Sequence, residues 1–203
     1  MNLQELIDVL IIGGSHAGLS AALSLGRSRR KVVIIDEGKP RNGMVTHSHG
    51  FYTRDGFPAQ EILELGREQL APYDVLQHKG KVINAEKTDY GFLVKLQDGT
   101  EYSARKLLLA TGVSDILPDI AGLHELWGKS VYTCPYCHGW EVRDQPLAVL
   151  GDSHKVFDYA LTIHHWSKHI TICLNGTGDL EPEQIKTLDE LGISVIKIGR
   201  AHV

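Results

Sequence analysis

The sequence predicts an α/β protein made of two Rossmann-like nucleotide-binding modules, the second of them incomplete. Three observations lead to this prediction. A short apolar segment, residues 9–12, runs into a glycine-rich turn and then into a helical pattern. The same order returns at residues 147–150, where Gly151 takes the place that Gly13 has in the first module. Between them, residues 81–109 have apolar positions with a period of two, which indicates a β-meander inserted in the first module.

The elements of the first module follow from periodicity and turn residues. After the strand at 9–12, the sequence predicts a helix at 19–28 and a strand at 32–36. Helical spacing of Ile62, Leu63 and Leu70 predicts a second helix at 60–70. The meander strands are predicted at 82–83, 92–96 and 107–109, separated by turns at 89–91 and 97–99.

The second module begins after a boundary at residues 113–123, where Pro118 and Gly122 interrupt the pattern. We expect a first domain at 1–114 and a second at 115–203 that carries the CxxC. The elements predicted in the second domain are strands at 147–150, 170–174 and 193–198 and helices at 155–166 and 182–191.

Composition excludes several classes of partner. The chain of 203 residues has 42% hydrophobic residues, and its 21 Lys and Arg against 25 Asp and Glu give a net charge of −4. Without a basic block, binding to nucleic acid or to anionic lipid is not expected. The apolar run at 9–12 is too short to cross a membrane, and no basic segment precedes it. The sequence therefore predicts a cytoplasmic protein.

The glycine-rich turn is the first candidate site. Gly13, Ser15, Ala17 and Gly18 lie in a run of the form G-x-G-x-x-G between strand and helix, with Ser15 in place of the middle glycine. Such a turn places a pyrophosphate at a helix N-terminus. Asp36 ends the next strand about 20 residues later, where a carboxylate can accept hydrogen bonds from ribose. The alternative is a glycine turn that binds nothing.

Cys134 and Cys137 form the second candidate site. Two thiols in a CxxC can close a disulfide, and a helix start would make the first more acidic. A zinc site is the alternative, although no second Cys or His pair stands at zinc-finger spacing. Cys173 lies in an apolar strand and is interpreted as a buried small side chain.

These features together resemble the low-molecular-weight thioredoxin reductase family over nearly the whole chain. The resemblance rests on the fingerprint, Asp36, the meander, the turn Ala110-Thr111-Gly112 and the Cys-x-x-Cys. Within the family, the run at 134–141, Cys-Pro-Tyr-Cys-His-Gly-Trp-Glu, is most similar to the dithiol oxidases that close the disulfides of gliotoxin and holomycin, and to their bacterial relatives. The resemblance implies that FAD binds the first module, with Ala110, Thr111 and Gly112 among its contacts.

The resemblance also implies catalytic roles. Cys137 would face the flavin, and Cys134 would exchange with the substrate. His138 stands where thioredoxin reductases have an acidic residue, and an imidazole can accept a thiol proton near pH 7. His138 as a solvated surface residue is the alternative. His47 and His49 lie in a loop that approaches the flavin in this family, but a solvated loop explains them equally well, so no role is assigned to them.

The second module has lost the residues that bind NADPH in the family. The fingerprint positions are Gly151, Ser153 and Val156, and a β-branched valine at the third would crowd the helix against the strand. Asn175 and Gly176 stand where the family has an arginine pair for the 2′-phosphate. The sequence therefore argues against NADPH as a cofactor.

The leading hypothesis is an FAD-dependent enzyme that oxidises a small dithiol through Cys134 and Cys137 and passes electrons to oxygen. An NADPH-dependent disulfide reductase and a non-catalytic nucleotide-binding scaffold are the alternatives. Expected partners are a small dithiol or disulfide, or a small redox protein, and the resemblance implies a homodimer for the full-length form. It also implies a final segment that returns to the FAD domain, which residues 199–203 do not supply. We therefore expect the chain to be part of a longer protein.

Overall fold

The computed structural model describes residues 6–176 and 179–198. It divides into two compact units. The N-terminal unit comprises the described residues up to Ser48 together with Tyr52–Leu117. The C-terminal unit comprises His49–Phe51 and the described residues from Pro118 onward. The assignment of functional domains to 1–114 and 115–203 stays a prediction.

The N-terminal unit is built on a mixed sheet with strand order β5-β2-β1-β8-β7-β6, and a short antiparallel pair, β3 and β4, lies apart from it. Its strands are β1 (Ile7–Ile12), β2 (Val32–Asp36), β3 (His47–Ser48), β4 (Phe57–Pro58), β5 (Val75–Lys79), β6 (Val82–Thr88), β7 (Gly91–Leu96) and β8 (Glu101–Leu109). Its helices are α1 (His16–Arg27) and α2 (Ala59–Glu68), and Arg41–Met44 form a 3₁₀ turn.

Strand β8 joins the predicted meander to the parallel part of the sheet. Its first half pairs antiparallel with β7, as in Val94 opposite Tyr102. Its second half pairs parallel with β1, as in Leu10 opposite Leu107. Strands β2 and β5 continue the parallel part on the other side of β1. The predicted α/β fold with an inserted meander is therefore confirmed.

Each face of this sheet has its own apolar cluster. Alternate residues of β2 belong to opposite clusters, Val33 and Ile35 to one and Val32 and Ile34 to the other, as a period of two requires. Side chains of the meander complete the first cluster, and α1 and α2 cover the second, with Leu19 and Leu63 among its members. The strands β1 and β2 have continuous apolar runs, residues 9–12 and 32–35, because both of their faces are covered.

The C-terminal unit has a parallel sheet with strand order β11-β10-β9. Its strands are β9 (Leu147–Gly151), β10 (Ile170–Leu174) and β11 (Ser194–Lys197). Its helices are α3 (Leu123–Leu126), α4 (Pro135–His138), α5 (Ser153–Ile163) and α6 (Pro182–Glu190). Val156, Ala160, Ile172 and Leu188 lie in its core, so α5 and α6 pack on the sheet. This is the second βαβ arrangement predicted from the sequence.

Several predicted boundaries were wrong. Helix α1 begins at His16 and not at residue 19, because the second half of the fingerprint is itself helical. Helix α5 ends at Ile163 and not at 166, since Trp166 N bonds to Ile163 O and tightens the chain into a turn. Strand β5 was not predicted at all. Within the described residues, no helix combines the length and the apolar character needed to cross a bilayer.

Candidate functional site

The glycine-rich turn connects β1 to α1 and has no room for side chains at two positions. Gly13 has a φ of +106°, and a Cβ there would overlap the carbonyl oxygen of Ala110. A Cβ at Gly18 would overlap the carbonyl oxygen of Gly13. Only glycine therefore allows the turn to lie against the segment after β8 while the helix packs against the turn.

The start of α1 is suited to an anion. Ser15 is the N-cap, and its side chain caps none of the amides of the first turn. Ala17 is exposed, and no acidic residue lies in that turn. The first amides of a helix have no acceptor within the helix and carry partial positive charge. Gly13, Ser15, Ala17 and Gly18 thus form a cradle that fits a pyrophosphate.

Asp36 lies at the end of β2 and holds two backbone amides. Its Oδ2 accepts from Gly14 N at 2.6 Å, and its Oδ1 accepts from Gly38 N at 2.8 Å. A Cβ on Gly14 would lie 2.9 Å from the Cβ of Asp36, so this glycine allows the turn to approach β2. The carboxylate therefore stabilises the turn itself. Its predicted contact with ribose stays a prediction.

The segment Ala110-Thr111-Gly112 lies beside the same turn. Ala110 N donates to Ile12 O at 2.8 Å, which continues the parallel pairing of β1 and β8 beyond the strand. Thr111 and Gly112 are exposed, and Gly112 has a φ of +65°. All the residues predicted to bind FAD therefore lie at the carboxyl ends of β1, β2 and β8, which is the edge where α/β sheets bind ligands.

An ion pair that the sequence did not reveal connects two segments at this edge. Arg41, in the 3₁₀ turn after β2, donates from Nε and Nη2 to the two carboxylate oxygens of Asp115, at 2.8 and 2.6 Å. The hydrogen bonds and the charge of Arg41 lower the pKa of Asp115. The pair links the chain after β2 to the chain after the Ala-Thr-Gly turn.

The two cysteines of the CxxC lie in the C-terminal unit, at the start of α4. Their Sγ atoms are 2.7 Å apart as free thiols, and both side chains are half-buried. Cys134 is the N-cap, and Pro135 follows at the first helical position. Helix α4 is a single turn of 4 residues, and the predicted effect of its dipole on the first thiol stays a prediction. This helical turn brings the two sulfur atoms close together.

His138, at the end of α4, is a base in an unusual environment. Its ring stacks on that of Tyr132, with centroids 4.1 Å apart and planes inclined by 12°. Its Nδ1 is buried. Burial lowers the pKa of His138, and nearby His49 adds to the effect, whereas Glu141 and a hydrogen bond to the backbone of Cys134 oppose it. The imidazole is therefore neutral at pH 7 and able to accept a proton.

The structure separates the two loop histidines to which the sequence gave no role. His49 belongs to the C-terminal unit, with its Nε2 3.6 Å from Glu141 Oε1. His47 lies on β3 in the N-terminal unit, with its Nδ1 3.0 Å from Thr46 Oγ1. Of the two, His49 joins the group of titratable side chains beside the CxxC.

Tyr159 also belongs to this site, although sequence reasoning missed it. From α5 its hydroxyl donates to the carbonyl oxygen of Thr133 at 2.7 Å, directly before Cys134. Burial raises the pKa of Tyr159, and negative charge on Cys134 and Cys137 raises it further. A tyrosine near the middle of a predicted amphipathic helix gives no sign in the sequence that it faces a segment 26 residues away.

The sequence also contains a third cysteine and raises the possibility of a metal site. Cys173 is half-buried on β10. In residues 6–176 and 179–198, no set of three or more His, Cys, Asp or Glu side chains is arranged to hold a metal ion.

The carboxyl edge of the second sheet differs from the first. Val156 is buried in the core, and the expected crowding does not occur because its branch packs against Gly151, which has no side chain. Asp152 is the N-cap of α5 and presents an exposed carboxylate where a pyrophosphate would lie. The side chain of Ser153 lies outside the described residues.

At the site expected for a 2′-phosphate, the described residues directly after β10 carry no positive charge. Asn175 and Gly176 follow β10, and Asn175 N donates to Gly151 O at 2.9 Å. Lys197 lies opposite Leu174 in the strand register, and its Nζ lies 2.5 Å from Asp179 Oδ1. Its charge is therefore already paired.

Comparison with known proteins identifies relatives of the chain. Residues 7–187 match the family model described as pyridine nucleotide-disulphide oxidoreductase. A protein of Arthroderma benhamiae named "Probable thioredoxin reductase" is 41% identical over 177 residues, which are 84% of this chain and 44% of that protein. The predicted resemblance to thioredoxin reductases is confirmed.

Solved structures give the same result. The crystal structure of HlmI has a TM-score of 0.89 and 40% identity, covering 96% of this chain and 62% of that one. An oxidoreductase from Agrobacterium tumefaciens has a TM-score of 0.90 and 40% identity, covering 94% and 65%. The chain thus spans between about two fifths and two thirds of the length of these relatives.

Proposed function

The chain belongs to the pyridine nucleotide-disulphide oxidoreductase family, and from this premise we propose that it acts in FAD-dependent oxidation of a small dithiol through Cys134 and Cys137. One observation carries the proposal. Two thiols that form no disulfide lie 2.7 Å apart beside His138, a half-buried imidazole whose pKa is lowered. That arrangement suits removal of protons from a dithiol at neutral pH.

The residues of the first cradle fit FAD. Gly13, Ser15, Ala17 and Gly18 would receive the pyrophosphate on backbone amides, and Ala110, Thr111 and Gly112 would line the same edge. Asp36 would hold the turn and meet the ribose. FAD, when bound, supplies a two-electron acceptor whose electrons pass to oxygen to give hydrogen peroxide.

The dithiol step uses the protein's own sulfurs. A substrate thiolate attacks Cys134 Sγ of the oxidised pair, which forms a mixed disulfide and releases Cys137 as a thiolate. The second substrate thiolate then attacks the substrate sulfur of the mixed disulfide, which closes the substrate disulfide and releases Cys134. The substrate loses two electrons and two protons, and the cysteine pair gains the two electrons.

His138 would accept one of these protons. Because burial against Tyr132 keeps the imidazole neutral, it is ready as a base before the substrate arrives. Glu141 would stabilise the imidazolium that forms, since its charge acts to raise the pKa of His138. The imidazolium would later return its proton to solvent.

The surroundings of the CxxC indicate the class of substrate. Tyr136, between the two cysteines, is 76% exposed, and Trp140 is 66% exposed with the guanidinium of Arg143 4.1 Å from its ring centroid. Exposed aromatic rings of this kind favour a small apolar dithiol or a small redox protein. We place the reaction in the cytoplasm, where thiols are kept reduced, and expect a homodimer for the full-length protein.

A disulfide reductase that uses NADPH is the second candidate. The name of the Arthroderma benhamiae relative favours it. The exposed carboxylate of Asp152 and the pairing of Lys197 with Asp179 count against it.

Anaerobic absorption spectra test the proposal. Protein loaded with FAD should be bleached by excess dithiothreitol and should regain its absorbance, with formation of peroxide, when oxygen is admitted. The variants Cys134→Ser and Cys137→Ser should each lose this reaction, whereas Cys173→Ser serves as the matched control and should keep it. Protein that takes up no FAD, or single variants that turn over normally, would overturn the proposal.

A further inference from the structure

Tyr159 connects the core of the C-terminal unit to the CxxC turn. It lies in α5, the helix that packs on the sheet of that unit, and its ring packs against the core together with Phe157 and Ile163. Its hydroxyl donates to Thr133 O at 2.7 Å. The hydrogen bond therefore connects the packed core to the residue before Cys134.

This contact restricts the backbone of Cys134 from one side. The Thr133 carbonyl and the Cys134 amide belong to one planar peptide group, so holding the oxygen also sets the direction of the amide. On the other side, the Cys134 carbonyl accepts from Cys137 N at 3.2 Å. Both peptide groups that flank the Cys134 Cα are thus held, one by α5 and one by the turn itself.

The phenol of Tyr159 remains a donor at neutral pH. Tyrosine ordinarily has a pKa of about 10. Burial and the charges of Cys134 and Cys137 raise the pKa of Tyr159 further. The hydroxyl therefore keeps the proton that it donates to Thr133.

We propose that Tyr159 is a positioning residue for the redox pair: its hydrogen bond to Thr133 holds Cys134 Sγ toward Cys137 Sγ and thereby favours closure of the disulfide. The inference deepens the proposed function and rests on it, because it concerns the same pair of thiols. Its physical basis is effective concentration, since two groups held in reacting geometry combine more readily than two mobile ones.

The test measures the closure equilibrium with Tyr159→Phe, which keeps the ring and removes only the hydroxyl. The chain carrying Cys173→Ser, so that a single pair of thiols remains, is equilibrated under nitrogen with mixtures of reduced and oxidised dithiothreitol. Closure forms one S–S bond, and the two electrons and two protons pass to oxidised dithiothreitol. Acid quenching, alkylation and intact mass give the fraction closed.

Loss of one hydrogen bond should lower the closure constant about threefold to tenfold. Tyr73→Phe is the matched control, because that hydroxyl accepts from Arg27 Nη1 at 2.7 Å in the N-terminal unit and should leave the constant unchanged. A thermal melt of each variant separates positioning from packing. A lower melting temperature with an unchanged closure constant for Tyr159→Phe would overturn the proposal, as would a change of less than twofold.

The measurement needs neither FAD nor substrate. A shifted closure constant in protein that fails the flavin assay would support Tyr159 and reject the proposed function. An unshifted closure constant in protein that passes the flavin assay would reject the role of Tyr159 and support the proposed function. Should Tyr159→Phe fail to fold, Tyr159→Trp keeps a large ring without a hydroxyl at that position, and the same fall in the constant is expected.

Discussion

The imidazole of His138 lies flat against the phenol ring of Tyr132, 4.1 Å from centroid to centroid. Tyr132 is itself held, because its hydroxyl donates to the carbonyl oxygen of Lys129. The stack covers one face of the imidazole and contributes to the burial that lowers its pKa. A proton acceptor beside the two thiols is thus set by an aromatic contact, and its protonation can be changed without touching the sulfurs.

Removing the stacked ring should raise the pKa of His138 toward its ordinary value of about 6.5. Only the neutral imidazole accepts a proton, so dithiol oxidation slows as the pH falls through the pKa of His138. In Tyr132→Ala this fall should begin at a higher pH than in the unmodified protein. The pH profile of kcat/KM with dithiothreitol, together with an NMR titration of His138, measures it.

Tyr90→Ala is the control for this substitution, since Tyr90 is 86% exposed in a turn of the N-terminal unit. It should leave the acid limb of the profile in place. An unchanged acid limb in Tyr132→Ala would mean that His138 is not the base.

Glu141→Gln should move the acid limb of the kcat/KM profile to lower pH, the opposite of the shift expected for Tyr132→Ala. The charge of Glu141 raises the pKa of His138 against the effect of burial, so its removal lowers that pKa further. The fall in kcat/KM should then begin at a lower pH. Glu125→Gln, in α3 of the same unit, removes an equal charge and provides the comparison. A shift to higher pH in Glu141→Gln would contradict the electrostatic role given to this carboxylate.

The strands that could be predicted from the sequence are those with an apolar run. Strands β1 and β2 contribute to clusters on both faces of their sheet, and their apolar runs were recognised, as was that of β10. Strand β5 was missed because it lies at the sheet edge, where Leu76 is 53% exposed and Gln77, His78 and Lys79 follow it. An edge strand has no need of an apolar run.

The candidate site was predicted only where its residues are close in the sequence. The fingerprint and the CxxC are recognised by the spacing of residues that are close in the sequence. Their members could therefore be predicted: Gly13, Gly18, Cys134 and Cys137. Tyr159 reaches Thr133 from 26 residues away. His49 meets Glu141 across an even longer stretch of chain. Such contacts depend on how helices and loops pack, which no local pattern encodes.

Asp36→Asn should destabilise the protein even without a cofactor. Both carboxylate oxygens of Asp36 accept backbone amides, and asparagine would turn an NH₂ group toward one of those donors. The expected loss is about 1–3 kcal/mol in the free energy of unfolding. Urea titration of flavin-free protein measures it. Asp98→Asn is the comparison, because Asp98 lies in an exposed turn, and it should change stability by less than about 0.5 kcal/mol. Equal losses in the two variants would reject the double role of Asp36.

Gly18→Ala should disrupt both the turn and FAD binding. The added methyl group would overlap the carbonyl oxygen of Gly13, and backbone on both sides would have to move. The expected cost is about 3 kcal/mol or more, with loss of bound flavin on gel filtration. Gly43→Ala is the control, because its methyl group would meet only the ring of Pro40 at 3.5 Å. Normal flavin content in Gly18→Ala would show that the cofactor does not depend on this close approach.

Electrons should not come from NADPH. The exposed carboxylate of Asp152, the N-cap of α5, would repel a pyrophosphate at the start of that helix. Asn175 and Gly176 offer no cation to a 2′-phosphate, and Lys197 is held by Asp179. Each missing charge-assisted contact costs about 1.5–3 kcal/mol, so two of them weaken binding about a hundredfold or more.

Anaerobic stopped-flow mixing of FAD-loaded protein with NADPH should leave the flavin oxidised, while dithiothreitol reduces the same sample and shows that it is competent. NADH needs no 2′-phosphate, so slow bleaching by NADH alone would locate the defect at the arginine positions. Rapid bleaching by NADPH would instead show that the second module works with the residues it has, and the disulfide reductase would replace the dithiol oxidase.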